Sequence, residues 1–383
     1  MGEQHLAVNG KADIAKFDDR VGTSHAEYAP AAVNGFTFCK RMRSASSETI
    51  FAEAARSQWR AVEHEIWSRS DAALDSVPLL SILTTLWDQP RWLEAYHLYD
   101  QRGSALFEQI CELPEYYLTR TENAILEAHA RTIIGSAPVR CIAELGAGFS
   151  KKTAHLLSEQ ARQRGPSLFV PIDVSISALL ASRAAVHSRF PAITFHGLHA
   201  RYEDAIAAID RRLPTLFVFL GSTIGNFNHT ELPRFFQELS AAMGPGDFLL
   251  LGADRVKEVD VLERAYNDSR GLTAEFILNV FENINTLLKS NFDRSKMRYL
   301  SGFDRDWQQI EMYAVADETH DVHFPAQESS FRWHKDEKIL VEISRKFEPG
   351  RLQGQLRFFG LSPVLHCTDA REWFSVLLLK KES

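Results

Sequence analysis

The sequence predicts a doubly wound α/β fold, a parallel sheet with helices on both faces, joined to a second, inserted α+β part. Three observations predict it. Five short runs, at residues 139–145, 168–172, 193–196, 216–220 and 248–252, are mostly apolar, as strands buried on both faces must be. Helical stretches at 151–163, 176–189, 202–211 and 230–243 alternate with them, the order expected of crossover connections. The first run ends in Gly146 and Gly148 at a strand-to-helix turn, where a missing Cβ lets backbone approach a ligand.

The remaining elements follow in order. Residues 1–46 are rich in Ala, Gly, Asn and Ser without an apolar period and read as a loose extension. From Ser47 the spacing of Ile50, Ala54, Trp59, Val62, Ile66 and Trp67 predicts a helix capped by Ser46 or Ser47. Gly244-Pro245-Gly246-Asp247 breaks the last crossover helix before its strand. Between 255 and 346 the pattern changes to two helical stretches and then strands, one holding Ile310, Met312, Tyr313 and Val315, another Ile339, Val341 and Ile343. The final runs, 352–361, 364–367 and 373–379, are expected to return to the sheet, the last two as an antiparallel hairpin.

Composition narrows the function classes. Among 383 residues, 50 acidic and 43 basic side chains give a charge of −7, which argues against a basic nucleic-acid binder. Four scattered cysteines form no CxxC pair, so neither a disulfide scaffold nor a structural zinc site is expected, and a reducing cytoplasm fits. No run reaches the ~18 apolar residues of a membrane span. His196 and His199, and His320 and His323, are each three apart in strand-like surroundings and would face opposite ways. No metal site is expected.

The turn after the first strand, Glu144-Leu145-Gly146-Ala147-Gly148, has Lys151 where a dinucleotide fingerprint needs its third glycine, and no GxxxxGK[ST] loop exists. A nucleoside cofactor without phosphates therefore reads best: S-adenosyl-L-methionine, whose amino group can meet acidic and carbonyl oxygens. Asp173, closing the second strand, is placed to accept both hydroxyls of a ribose.

Further segments mix polar and buried-type residues beyond the needs of packing: Tyr99–Ser104 with Leu113–Glu122, Gly221–Phe227, Ile310–Tyr313 and Val341–Phe347. In this order and spacing, from about Tyr99 to the carboxyl terminus, the chain resembles the histidine-specific Nα-methyltransferases of the ergothioneine pathway. The resemblance implies a Rossmann-like class I S-adenosylmethionine-dependent methyltransferase fold. It also implies trimethylation of the α-amino group of L-histidine, through mono- and dimethyl intermediates, to hercynine.

Carried over residue by residue, the resemblance assigns Tyr116, Gly146, Lys152 and Asp173 to the cofactor, with Arg201 and Tyr202 near its base. Asn226 and Tyr266 match the holders of the substrate carboxylate; Tyr99, Gly221 and Thr223 lie near its amine. Tyr116 also borders the substrate. Glu342 and Ser344 match the pair that grips the imidazole, and Met312 and Phe276 the pocket wall. The implied division is an extension over 1–46, a helical part of the substrate-binding domain over 47–120, a cofactor domain over 121–255, an inserted substrate-binding domain over 256–346 and returning strands over 347–383.

One departure stands out. Where the family usually has an Asp before an aromatic residue, this chain reads Arg201-Tyr202, and arginine cannot accept a hydrogen bond from adenine. Its backbone could do so, Asp204 could reach in, or cofactor binding could be weakened. Two other readings stay open: an Nα-methyltransferase for tryptophan or a derivative, and a cofactor-binding protein without turnover.

Overall fold

In the computed structural model the apolar runs form the middle of a ten-stranded sheet. The structure describes residues 58–69, 73–206, 208–209 and 213–382, which together belong to one compact unit. The chain opens with β1 (Trp59–Glu63), β2 (Ile66–Arg69), α1 (Ala73–Trp87), α2 (Gln101–Cys111) and α3 (Tyr117–Ser136). The alternating segment is β3 (Cys141–Leu145), α4 (Thr153–Arg164), β4 (Ser167–Asp173), α5 (Ile176–Arg189), β5 (Ile193–Phe195) and β6 (Gly197–His199). It continues through α6 (Tyr202–Ile206), β7 (Thr215–Phe219), α7 (Glu231–Ala242) and β8 (Phe248–Asp254). Then come α8 (Val259–Tyr266), α9 (Leu272–Leu288), β9 (Met297–Asp304), β10 (Gln309–Ala316), β11 (His320–Phe324), β12 (Ser329–Trp333) and β13 (Lys338–Arg345). The chain closes with α10 (Pro349–Phe358), β14 (Leu361–Thr368) and β15 (Phe374–Lys381).

The sheet order is β1-β2-β6-β4-β3-β7-β8-β15-β14, with β5 also paired to β4. Strands β3 to β8 pair in parallel, whereas β15 runs antiparallel to both β8 and β14. The winding goes outward from β3 to β4 and β6, then resumes on the other side at β7. That reversal opens a crevice above the carboxyl ends of β3 and β7, where open α/β sheets bind ligands.

Alternate residues of each strand feed two cores. Ile142, Leu216, Val218 and Leu250 face one, and Ala143, Leu145, Phe217, Phe219 and Leu251 the other. Each large side chain so buried contributes ~1.5–3 kcal/mol. The first core runs on beyond the sheet through Phe276, Phe281, Ile310, Met312 and Trp333, so the layer they build rests on the sheet's own packing. The stretch between Arg255 and Phe347 starts and ends side by side, these two residues bridging each other; the Phe347 N–H donates to the Asp254 carbonyl at 2.8 Å. Within it β9, β10 and β13 form an antiparallel sheet and β11 and β12 a hairpin. Among the described residues no helix is long and apolar enough to cross a membrane.

Two expectations are corrected. The helix expected from Ser47 is, where described, an antiparallel hairpin of β1 and β2; residues 47–57 lie outside the described residues. Its helical spacing is outweighed by a left-handed Glu65 (φ 60°) in the turn and by parallel pairing of β2 with β6, which stacks Trp67 on His196 with ring centroids 5.0 Å apart. The run 352–361, expected as strand, is mostly helix α10. Pro349 suits the first turn, the Glu348 carboxylate accepts from the Gly350 and Arg351 N–H groups at 3.1 and 2.7 Å, and Leu352 and Leu356 bury one face. The hairpin of the last two runs forms as expected.

Candidate active site

A cavity of about 1460 Å³ lies above the switch point, and all fifteen residues singled out from the sequence line it. One wall is made by loops at the carboxyl ends of the parallel strands, the other by α8, α9, β10, β13 and the segment around Tyr99.

The strand-end wall is largely backbone. Gly146 and Gly148 hold left-handed φ of 69° and 50°, and a Cβ on either would meet nothing within 4 Å, so the turn is an open cradle rather than a packing requirement. The Asp173 carboxylate ties it down, accepting from the Gly148 N–H at 2.7 Å and the Ser175 N–H at 2.8 Å. Burial raises its pKa, against the pull of those N–H groups. Glu144 accepts from the Thr153 hydroxyl with one oxygen, while its other oxygen is buried without a partner, and burial pushes the carboxyl up to about 8. An orphaned carboxylate oxygen beside an open glycine cradle suits a ligand bringing a cation, not a phosphate. That set of acceptors fits the ammonium and ribose of S-adenosylmethionine.

Beneath the cradle, the Lys152 ammonium pairs with Glu122 of α3, whose carboxylate is fully buried and also accepts the Gly221 N–H at 2.8 and 2.9 Å. Room for that carboxylate exists only because residue 252 is glycine: a Cβ there would sit 2.0 Å from the Glu122 oxygen. Glu122 thus locks the β3 and β7 loops to one helix. Tyr202 packs among Phe219, Phe227 and Phe235 at 5.3–6.1 Å. The Arg201 guanidinium lies over the Tyr96 ring at 5.0 Å and 3.6 Å from Glu203. Asp204, one of the acceptors considered for adenine, receives Arg69 of β2 at 2.6 Å.

The loop after β7 joins the two walls. Ser222 is left-handed (φ 56°), and its hydroxyl accepts from the Asp254 N–H at 2.9 Å, which offsets a strain of ~1 kcal/mol or more. Thr223 donates to the Leu220 carbonyl at 2.8 Å. Asn226 donates from its side-chain amide to Glu342 at 2.9 Å, leaving its second amide hydrogen free of that bond.

The opposite wall is built from side chains. Strand period places Glu342 and Ser344 on one face of β13, and Met312 of β10 stands opposite Glu342, where a bulge shifts the register. Tyr99 meets Phe107 and Phe276 edge-on at 5.7 and 5.6 Å; Tyr116 meets Tyr266 at 5.9 Å. Burial raises the pKa of all three phenols, and Tyr99 and Tyr116 lie well above the ordinary tyrosine value. Burial likewise pushes Glu342 up to about 8, against the pull of Lys346 and Asn226.

Behind this wall sits a charged cluster. The fully buried Lys346 ammonium reaches Tyr266 and Ser344 at 2.8 Å each and Asp254 at 3.0 Å. Asp254 also pairs with Lys257 and accepts from the Tyr117 hydroxyl at 2.7 Å. Burial lowers Lys257 to about 8. Sequence reasoning assigned no role to Glu122, Asp254, Lys257 or Lys346. The repeat Glu342, Ser344, Lys346 along one strand was a legible signal for the last, and a lone acid between Leu118 and Ile125 for the first.

Residues 79–381 match the family described as histidine-specific methyltransferase, SAM-dependent. A histidine N-alpha-methyltransferase of Mycobacterium tuberculosis is 35% identical over 78% of this chain and 94% of its own. One from Mycolicibacterium smegmatis is 34% identical over 85% and 96%. Ergothioneine biosynthesis protein 1 of Neurospora crassa is 29% identical over 88% of this chain and 40% of its own length.

Proposed function

We propose, for a chain that belongs to the family of histidine-specific, S-adenosylmethionine-dependent methyltransferases, that its reaction is the stepwise trimethylation of the α-amino nitrogen of L-histidine to hercynine, the entry to ergothioneine. The observation that carries this reading is the meeting of two chemistries in one cavity: Gly146, Gly148 and Asp173 on one side, Glu342, Ser344 and Met312 on the other.

When bound, S-adenosylmethionine supplies a sulfonium methyl open to in-line displacement. Gly146 and Gly148 would let the backbone approach it, Asp173 would accept from its ribose hydroxyls, and the free oxygen of Glu144 would take its ammonium. Tyr116, Lys152, Arg201 and Tyr202 complete that wall. Asn226, through its second amide hydrogen, and Tyr266 hold the substrate carboxylate. Glu342 accepts one imidazole N–H, Ser344 meets the other ring nitrogen, and Met312 and Phe276 bound the ring. A site that engages both ring nitrogens rejects a substrate lacking one by a factor of ~10⁴.

With both ends fixed, the amine is aimed past Tyr99, Gly221 and Thr223 towards the methyl, and positioning supplies most of the acceleration. The attacking amine must be neutral. Tyr99, a neutral phenol in an aromatic wall, accepts a hydrogen bond from the ammonium form and, as it takes that proton, passes its own hydroxyl proton to water. Competition assays with L-histidine, its mono- and dimethyl derivatives and L-tryptophan test the reading. Methyl transfer to the first three is expected; preference for tryptophan, or turnover of none, contradicts it.

A further inference from the structure

Lysine donates three hydrogen bonds and accepts none. Lys346 is fully buried, and its ammonium has three oxygens around it: Tyr266 and Ser344 at 2.8 Å each and Asp254 at 3.0 Å. Every donor is therefore spent, and both hydroxyl oxygens act as acceptors towards it. The two hydroxyls also bond to each other at 2.7 Å, so one of their two protons lies between them. A single proton is left for the cavity.

Two arrangements satisfy this count. In one, Tyr266 donates to Ser344 and the free proton belongs to Ser344. In the other, Ser344 donates to Tyr266, the phenol proton faces the cavity, and Ser344 offers a lone pair. A carboxylate is the strongest acceptor an amino acid presents, and a phenol is the more acidic of the two hydroxyls. The adjacent ammonium strengthens the phenol as a donor, opposing the burial that raises its pKa.

We propose that Lys346 is the positioning residue for the substrate's α-carboxylate: by occupying both hydroxyl oxygens it commits the one free proton of the Tyr266–Ser344 pair to that carboxylate, so that Ser344 meets the ring as an acceptor. No cation is among the residues placed against the carboxylate, and Lys346 supplies the positive charge one residue further back, without itself lining the cavity. The inference rests on the histidine reading above.

Binding of L-histidine and of histamine, which keeps the amine and the ring but lacks the carboxylate, tests it by calorimetry with S-adenosylhomocysteine bound. Lys346→Met and Tyr266→Phe are each expected to weaken histidine by ~10- to 100-fold and histamine by much less, and the double variant is expected to lose no more than either alone. Lys346→Gln, which keeps two donors without the charge, carries the test if Lys346→Met does not melt cooperatively; it should show a smaller loss that still falls on histidine and spares histamine. Equal losses for both ligands, additive losses, or no loss would overturn the inference. Should the wild-type protein bind histidine no better than tryptophan, the histidine reading itself fails, a separate outcome.

Discussion

The two walls of the cavity are built from different materials. The cofactor wall presents backbone and two glycines whose Cβ positions are empty, backed by Asp173 and Glu144. The substrate wall presents aromatic rings, a carboxylate and two hydroxyls, with a buried lysine–aspartate cluster behind it. Backbone at strand ends is fixed by the sheet itself, so that wall needs few side-chain supports. Side-chain donors and acceptors have no such scaffold, and each must be held by a partner deeper in the protein. Glu122 is the exception on the cofactor side: a buried side chain that fixes both strand-end loops at once.

That contrast can be broken at its joint. Gly252→Ala places a methyl on the Glu122 carboxylate and is expected to cost ~3 kcal/mol or more, from overpacking and a displaced buried charge; a denaturant melt measures it, and a near-neutral result would mean that Glu122 is not the lock. Glu342→Ala should separate the walls, lowering turnover with histidine by ~100-fold or more while changing S-adenosylhomocysteine affinity by less than ~3-fold. Equal losses in both would erase the distinction. Asp173→Asn should do the reverse, weakening the cofactor by ~10-fold with histidine recognition intact.

The next effect is on pH dependence. Glu342 titrates at about 8 in the folded protein against an ordinary value of 4.5, so the folded chain holds a proton that the unfolded chain releases between those values. Stability from this group is complete below the lower value and is lost as pH rises through the upper one. Glu342→Gln should remove that slope: between about pH 5 and about pH 8 the melting temperature of the wild type should fall more than that of the variant. Glu144 shifts the same way in both proteins and cancels. The smallest effect is expected at Arg201, which is stacked on Tyr96 and beside Glu203; Arg201→Ala should change cofactor affinity by less than ~3-fold.

The same contrast explains what could be read from the residues alone. Strand-end chemistry is local: Glu144, Gly146, Gly148 and Asp173 sit at the ends of apolar runs, where pattern and turn chemistry mark them. Substrate-side residues are scattered from Tyr99 to Ser344 and are brought together only by the tertiary fold, so the family likeness, not periodicity, singled them out. Glu122 and Lys346 escaped because a buried charge looks like a surface charge until its partners are seen. The hairpin at Trp59–Arg69 and the helix at Pro349–Phe358 were misread because short apolar spacings fit more than one period. Pairing with β6 decided the first, and the Glu348 and Pro349 start signals the second.

The most direct measurement is a crystal structure with L-histidine and S-adenosylhomocysteine bound. The account predicts the imidazole between Glu342 and Ser344, the carboxylate on Asn226 and Tyr266, and the α-amino nitrogen pointing at the sulfur. A histidine bound with its ring away from Glu342, or its amine facing away from the sulfur, would contradict it.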